Sequence, residues 1–277
     1  MMQLPLGESE MTRTVIGIAG FARSGKDSLA DALINNHFVD SKRSFAAPLK
    51  SAVNAIYKWN DRHANGDLKE VQTVAMASIG FICDVIYEHF NGYASIIDTD
   101  SFELALRWVE ICKKHGVTDG VEGMGGLVKF ELSPRQAYQW FGTDLMRKNV
   151  SPNIWLDLAL KGDGSIVIPD VRFDNEAEAV RTAEPLGGSL LIHVEREGVQ
   201  GKVNAHVSEA GVIRKAGDVV LVNDGTLEQL HAAGCYIVSR HKMNQLPFNS
   251  FGPTSYSAKQ LAEHYEFNSD IDSVVNV

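Results

Sequence analysis

The sequence has few cysteines and no long apolar run. Its three cysteines, Cys83, Cys112 and Cys235, are far apart and form no CxxC pair, so neither a zinc site nor a disulfide framework is indicated. No apolar stretch reaches the length of a membrane span, and the N-terminus lacks the basic and apolar regions of a signal peptide. We therefore expect a protein of the reducing cytoplasm.

The chain also has no excess of positive charge. Its formal net charge is −9, whereas non-specific binding to nucleic acid needs basic surface that replaces counterions. We therefore expect no stable nucleic-acid partner and no membrane partner, and anionic ligands must be met by local basic residues. The 277 residues suffice for one large α/β domain, or for a core domain with an insertion.

What the sequence does contain is a glycine-bounded loop between a predicted strand and a predicted helix. Gly20 and Gly25 are followed by Lys26 with the Gly-x4-Gly-Lys spacing of a phosphate-binding P-loop. Glycines let successive N–H groups turn toward a phosphate, the helix directs its positive end there, and the lysine supplies a charge for the β- and γ-phosphates. This pattern predicts an ATP site formed by Ala22, Arg23, Ser24, Gly25, Lys26, Asp27 and Ser28.

The motif departs from the usual pattern directly after the lysine. A serine or threonine hydroxyl normally ligates Mg²⁺ at that position, but here the residue is Asp27 and Ser28 follows it. Either Asp27 contacts the metal or its waters, or Ser28 substitutes for the missing hydroxyl. Both alternatives stay open, with Mg²⁺ as the predicted cofactor.

Predicted strands alternate with predicted helices along much of the chain. Apolar runs at 166–168, 189–194 and 219–222 read as buried strands. The alternation predicts an α/β fold of the P-loop NTPase type, with three layers and a mostly parallel sheet. We expect residues 1–12 to be a disordered lead, and residues 13–240 to form the P-loop domain.

One region falls outside this alternation. Helical spacing of apolar residues over 70–90 and 102–112 predicts two helices, and the glycine-rich stretch 116–127 predicts a loop or hairpin. We interpret 60–130 as an inserted helical subdomain that acts as a lid or binds the acceptor. The helical and strand patterns are lost after 240, so 241–277 is predicted to be a tail.

Charged residues follow one predicted strand at its carboxyl end. The stretch 165–172 reads as a buried strand that ends in Asp170 and Arg172, and ligands of open α/β sheets bind beyond such strand ends. The carboxylate can hold Mg²⁺ waters or position a substrate hydroxyl, and the arginine can grip a phosphate through two hydrogen bonds. The alternative is a structural salt bridge at the edge of the sheet.

Basic residues also occur at two predicted helix starts. Lys50 follows Pro48, and Arg135 lies in the capping-box sequence Ser133–Gln136. Each cation either meets an anion or lies on an exposed helix face, and the sequence leaves both open. Gln139, one turn beyond Arg135, can contact a base or a sugar.

A histidine motif near 206 does not indicate a hydrolase. His206 and Ser208 lack the Gly-x-Ser-x-Gly elbow of serine hydrolases, so His206 is interpreted as a structural residue or a peripheral nucleotide contact. The other histidines lack the spacing of metal ligands, so we predict no zinc site.

Taken together, the motifs resemble those of the bacteriophage deoxynucleoside monophosphate kinases. Between about Val15 and about Ser239 they occur in the order Gly20-x2-Arg23-Ser24-Gly25-Lys26-Asp27-Ser28, Arg135-x3-Gln139-x2-Gly142-Thr143-Asp144-Leu145, Ile168-Pro169-Asp170-x-Arg172, His206-x2-Glu209-Ala210-Gly211 and Asn223-Asp224-Gly225. That family is similar in fold to other P-loop nucleoside monophosphate kinases. It transfers the γ-phosphoryl group of ATP to a deoxynucleoside monophosphate with the help of Mg²⁺.

The resemblance implies roles for individual residues. Arg23 to Ser28 would hold the ATP phosphates and the metal, with Asp27, Ser28 and Asp170 as metal candidates. The predicted catalytic cations are Lys26, Arg23, Arg135 and Arg172. The acceptor side would be lined by Arg135, Gln139, Trp155, Asp170, Arg172 and Glu176, to which we add Lys50.

The resulting hypothesis is an enzyme that makes deoxynucleoside diphosphates, as precursors for phage DNA synthesis in the host cytoplasm. One alternative is a P-loop kinase for another small acceptor, such as a nucleoside or a metabolite. A second is a nucleotide-dependent switch module without enzymatic activity. A homodimer is among the oligomeric states that the sequence leaves open.

Overall fold

The structure is a computed structural model that describes residues 13–91, 93, 98–122, 126–184, 188–199, 211–243, 246 and 252–263. The chain forms two compact units. The first unit contains Met1–Ser44 and Leu160–Val277, and the second contains Phe45–Ala159. The predicted insertion at 60–130 lies within the second unit.

The described residues form strands and helices in both units. The strands are β1 Val15–Ala19, β2 Ser41–Lys42, β3 Thr73–Ser78, β4 Val121–Glu122, β5 Leu127–Leu132, β6 Ile166–Val171, β7 Ser189–Glu195, β8 Val219–Val222 and β9 Thr254–Ser257. The helices are α1 Lys26–Asn35, α2 Ala47–Tyr57, α3 Asp61–Ala64, α4 Ile79–Phe90, α5 Asp98–Lys114, α6 Pro134–Gln139, α7 Ile154–Leu160, α8 Asp174–Arg181 and α9 Leu227–Lys242. A π-helical segment, Trp140–Arg147, continues α6.

The first unit is built on a six-stranded sheet of order β2-β6-β1-β7-β8-β9. Every neighbouring pair in it is parallel, which confirms the predicted mostly parallel α/β sheet. β1 lies inside the sheet, between β6 and β7. The carboxyl ends of β6, β1 and β7 are therefore neighbours.

Helices cover both faces of this sheet. Side chains alternate between the two faces along a strand, and Ile16 and Ile18 belong to the core cluster that also holds residues of α1 and α9. Gly17 faces the other side, where a Cβ atom would lie 2.9 Å from Val180 of α8. The glycine thus lets α8 approach the sheet closely, and the predicted three-layer arrangement is confirmed.

The second unit combines helices with an antiparallel sheet of order β3-β5-β4. The prediction of a helix over 70–90 is wrong at β3, because residues 73–78 pair with β5. Along β3, Val74 and Met76 are exposed while Ala77 is buried, which is the alternation of a strand. The apolar positions Val71, Val74 and Ala75 have helical spacing, but pairing with β5 makes this segment a strand.

The segment predicted to be a tail contributes to the main sheet. β9 pairs in parallel with β8, as the sixth strand of the sheet, and residues 258–263 follow as a helix. Among the described residues, no helix combines the length and apolar character that crossing a membrane would require.

Candidate functional site

The glycine loop joins the inner strand β1 to the N-terminus of α1. Gly20 lies close to the backbone of β7, since a Cβ atom there would come within 2.6 Å of the Val194 carbonyl oxygen. Gly25 has a φ angle of +108°, a backbone conformation that residues other than glycine rarely adopt. No side chain caps the first turn of α1, so its free N–H groups can receive an anion.

Lys26, the first residue of α1, is buried but weakly paired. The residue is only 8% exposed, and its ammonium donates a long hydrogen bond of 3.4 Å to the Phe21 carbonyl oxygen. Among the described residues, the nearest carboxylate oxygen belongs to Asp27 and is 3.9 Å away. A buried charge with so little compensation is costly unless an anion joins it.

A cavity of about 370 Å³ opens beside this loop, within the first unit. Three cations and one carboxylate line it, together with amide and apolar groups, although the whole chain is acidic. The lining residues are Arg23, Gly25, Lys26, Asp27, Ser28, Arg196, Asn223, Gly225, Leu227 and Leu230. The volume lies within the range of small-ligand sites, and the basic groups suit an anionic ligand.

Two lining residues with polar side chains, Arg196 and Asn223, were not among the predicted site residues. Arg196 directly follows β7, and Asn223 directly follows β8, so both occupy the carboxyl ends of strands. The Asn223 side chain donates a 2.8 Å hydrogen bond to the Ser24 carbonyl oxygen of the loop. The strand-end rule could have indicated both residues, but only the strand order shows that β7 is next to β1.

Asp170 lies at the end of β6, beside the start of the loop. The next residue, Val171, is the parallel-sheet partner of Ala19, which precedes Gly20. One carboxylate oxygen, Oδ2, accepts a 2.7 Å hydrogen bond from Ser44. The other, Oδ1, is buried and has no hydrogen-bond partner, although buried polar atoms are nearly always satisfied.

Asp170, Asp27 and Ser28 carry the kind of oxygen atoms that a magnesium ion held jointly with a nucleotide would need. Mg²⁺ prefers oxygen ligands and is usually bound by one or two carboxylates plus substrate phosphates. The unsatisfied Oδ1 of Asp170 is such an oxygen, and Asp27 and Ser28 both line the cavity. Among the described residues, no group of three or more metal-binding side chains is found.

The acceptor-side residues Arg172 and Glu176 of the first unit differ in exposure and in hydrogen bonding. Arg172 is exposed, and its backbone N–H donates to Oε2 of Glu176 at 2.8 Å. The same oxygen accepts the N–H of Phe173 at 3.2 Å, and Glu176 is only 6% exposed. Glu176 therefore caps the start of α8, whereas the Arg172 side chain faces solvent.

Among the acceptor-side residues of the second unit, Arg135 and Gln139 are exposed, Lys50 is half-buried and one tryptophan is buried. Lys50 donates a 2.5 Å hydrogen bond to Asn65, and Arg135 forms an exposed ion pair with Glu70. Gln139 is exposed at the end of α6. Trp155 is almost fully buried, and its indole N–H donates to the Gly142 carbonyl oxygen at 3.2 Å. Trp155 is thus a core residue, and the binding roles of all these residues stay predictions.

The motif at His206 and Glu209 lies outside the described residues. The described chain resumes at Gly211, and the segment after it is fastened to α8. The N–H of Ile213 donates to Asp174 at 2.8 Å, and its carbonyl oxygen accepts from Arg181 at 2.8 Å.

A buried ion-pair network supports the strands that carry the site. Asp218, just before β8, is 2% exposed and accepts hydrogen bonds from Arg181 at 2.7 Å and from His193 at 3.0 Å. His193 is the β7 partner of Ala19 on β1. Burial by itself would raise the pKa of Asp218, but the hydrogen bonds from Arg181 and His193 outweigh it and lower the pKa to about 2.

We expect this network to make stability depend on pH. An unfolded aspartate has a pKa of about 3.9, so the lowered pKa contributes about 2 kcal/mol of folding free energy at neutral pH. That contribution is fully present above pH 4 and is lost as the pH falls toward 2. Urea unfolding of Asp218→Asn should therefore show a deficit at pH 7 that shrinks toward pH 2. The exposed Asp163→Asn is the matched control, and an equal deficit at both pH values would contradict the expectation.

The fold and the glycine loop first define the class of protein to which this chain belongs. A parallel α/β sheet whose inner strand leads through a Gly-x4-Gly-Lys loop into the open N-terminus of a helix is the nucleotide-binding arrangement of P-loop proteins. Within that class, the chain is related to the deoxynucleotide monophosphate kinases, which confirms the resemblance drawn from the motifs. The family model "Deoxynucleotide monophosphate kinase" matches residues 109–233, a range that holds the motifs from Arg135 to Gly225 but not the P-loop.

Individual relatives extend the similarity over most of the chain. The deoxynucleotide monophosphate kinase of Enterobacteria phage T4 is 28% identical over 249 residues, covering 78% of this chain and 95% of that protein. The protein of the same name from Escherichia phage RB69 is 27% identical over 256 residues, covering 79% and 96%. The deoxynucleoside-5'-monophosphate kinase of Escherichia phage T5 is 28% identical over 232 residues, covering 76% and 89%.

Proposed function

We propose that this protein is a deoxynucleoside monophosphate kinase, which transfers the γ-phosphoryl group of ATP to deoxynucleoside monophosphates. The observation that carries the proposal is the buried, weakly paired ammonium of Lys26 within a glycine loop at an uncapped helix N-terminus. The kinship to phage enzymes named for this activity supports the choice of acceptor.

The first unit offers what phosphoryl transfer from a nucleotide requires. Catalysis of this reaction is mostly positioning and charge stabilisation. The main-chain N–H groups of the loop and the ammonium of Lys26 would bind the phosphates, and the Arg23 guanidinium, also at the cavity, would neutralise charge that develops on them. An acceptor phosphate oxygen is already anionic, so the attack needs no general base.

Asp170 would hold the metal, with Asp27 or Ser28 on the side of α1. Bound Mg²⁺ would supply charge neutralisation at the phosphate oxygens. The hydrogen bond from Ser44 keeps Oδ2 of Asp170 engaged and thereby leaves Oδ1 available as a ligand.

The acceptor-binding roles of Lys50, Arg135, Gln139 and Arg172 belong to this proposal as well. All four carry polar side chains that reach or approach solvent, and two of them already bind neighbouring polar side chains that a nucleotide could replace. The proposal further includes a cytoplasmic location and leaves homodimerisation as a prediction.

A coupled ADP-release assay with Mg-ATP and a panel of deoxynucleoside monophosphates tests the function. We expect turnover with at least one of them. Absence of turnover with every deoxynucleoside monophosphate of the panel would overturn the proposal. Turnover with nucleosides or metabolites alone would indicate a kinase for another acceptor, and ATP binding without acceptor-stimulated turnover would indicate a switch module.

A further inference from the structure

We propose that Asn223 is a positioning residue that sets the geometry of the phosphate loop. The inference rests on the proposed function, because it assumes that the loop binds the phosphates of ATP. Asn223 directly follows β8, a strand that is separated from β1 by β7. Its side-chain Nδ2 nevertheless reaches the loop and donates to the Ser24 carbonyl oxygen at 2.8 Å.

Asn223 is itself held in place by the neighbouring strand. Its backbone N–H donates to the Glu195 carbonyl oxygen at the end of β7, at 2.6 Å. The side chain is half-buried. The amide group is therefore anchored to the sheet before it reaches the loop.

The hydrogen bond to the Ser24 carbonyl oxygen also fixes the direction of an N–H group. The peptide between Ser24 and Gly25 is trans, and a planar trans peptide directs its C=O and its N–H to opposite sides. Fixing the Ser24 carbonyl group thus also fixes the direction of the Gly25 N–H. That N–H is one of the main-chain donors that the proposed function assigns to the phosphates.

Packing around Gly25 leaves little freedom for another arrangement. A Cβ atom on Gly25 would lie 2.8 Å from Asn223 Nδ2 and 2.7 Å from a methyl carbon of Leu230. The Gly25 carbonyl oxygen accepts the N–H of Leu29 at 2.9 Å, which fixes the other side of the residue. Both peptide groups of Gly25 are therefore oriented before any ligand arrives, and this lowers the ordering cost of binding.

Asn223 also lines the cavity, so a contact with the base or the sugar must be distinguished from an effect on phosphate binding. Tripolyphosphate makes the distinction, because it has the phosphates of ATP without the base and the sugar. An effect through the loop weakens ATP and tripolyphosphate equally. A contact with the base or the sugar weakens ATP alone.

The test uses Asn223→Leu, which keeps the approximate shape of the side chain and removes the donor. Isothermal titration of the full chain with Mg-ATP and with Mg-tripolyphosphate should show about a 10-fold loss of affinity for both, as expected for one lost hydrogen bond. Asn223→Gln, which keeps an amide donor, should recover part of the loss for both ligands. Asn35→Leu, at the exposed far end of α1, is the matched control and should bind both ligands like the wild type.

Unchanged affinity for tripolyphosphate in Asn223→Leu would overturn the inference, whatever happens to ATP. Circular dichroism verifies that the variants fold. If Asn223→Leu does not fold, Asn223→Ser replaces it, because the shorter serine side chain cannot reach the Ser24 carbonyl oxygen. The same losses of affinity are then expected for Asn223→Ser. Failure of the wild-type protein to bind Mg-ATP would instead refute the proposed function, so the two failures are distinguishable.

Discussion

Lys26→Ala is expected to nearly abolish phosphoryl transfer and to leave the protein folded, with stability equal to or above that of the wild type. The ammonium is buried, and its two polar contacts measure 3.4 and 3.9 Å. Removing it relieves an uncompensated buried charge, so the fold should not suffer. Catalysis should lose about 10³-fold in kcat/KM, since such a charge acts where negative charge develops on the phosphates.

The measurement pairs the ADP-release assay with thermal unfolding of the same variant. Lys26→Met serves as a second variant because it keeps the apolar stem and removes only the charge. Lys259→Ala, an exposed lysine of the first unit, is the control and should leave both quantities unchanged. Retained turnover in the Lys26 variants would refute the assignment of the P-loop.

Asp170→Asn should produce the second large effect, a loss of about 10²- to 10³-fold in kcat together with a raised requirement for Mg²⁺. The substitution keeps the shape of the side chain and an acceptor for Ser44, but it removes the negative charge from the buried Oδ1. An amide oxygen is a weaker ligand for Mg²⁺ than a carboxylate, so higher metal concentrations should recover part of the rate.

Mg²⁺ titrations of kcat and electron paramagnetic resonance of Mn²⁺ bound with ATP measure this effect. Ser44→Ala is the comparison variant, because it removes the hydrogen bond to Oδ2 and retains the carboxylate. It should cost much less than Asp170→Asn. If the Asp170→Asn protein had the wild-type rate and the wild-type dependence on Mg²⁺, Asp170 would have no part in metal binding.

The part of the site that sequence reasoning found is the part that is local in the chain. The P-loop needs only a strand, two glycines, a lysine and a helix within about fifteen residues, and Asp170 needs only the end of an apolar run. Arg196 and Asn223 were missed because their roles depend on β7 and β8 following β1 across the sheet. The order of the strands in the sheet arises from packing and cannot be predicted from any short stretch of sequence.

One secondary-structure element differs from its prediction for the same reason. β3 carries apolar residues at spacings that suit a helix, and only its pairing with β5 makes it a strand. Trp155 and Glu176 were assigned to the acceptor side through the family resemblance. In the structure, the indole N–H of Trp155 and Oε2 of Glu176 are hydrogen-bonded to backbone groups, and the acceptor-side roles of both residues stay predictions.

The outermost strand has a practical consequence for anyone who trims this chain. β9 lies beyond residue 240, in a stretch that a pattern-based boundary would discard, and its Ser257 hydroxyl donates to Asp224 at 2.7 Å, next to the cavity residues Asn223 and Gly225. A truncation there would bare the backbone of β8 along its whole length, and an uncovered strand edge invites pairing between molecules. Such a shortened protein should aggregate before its activity can be measured.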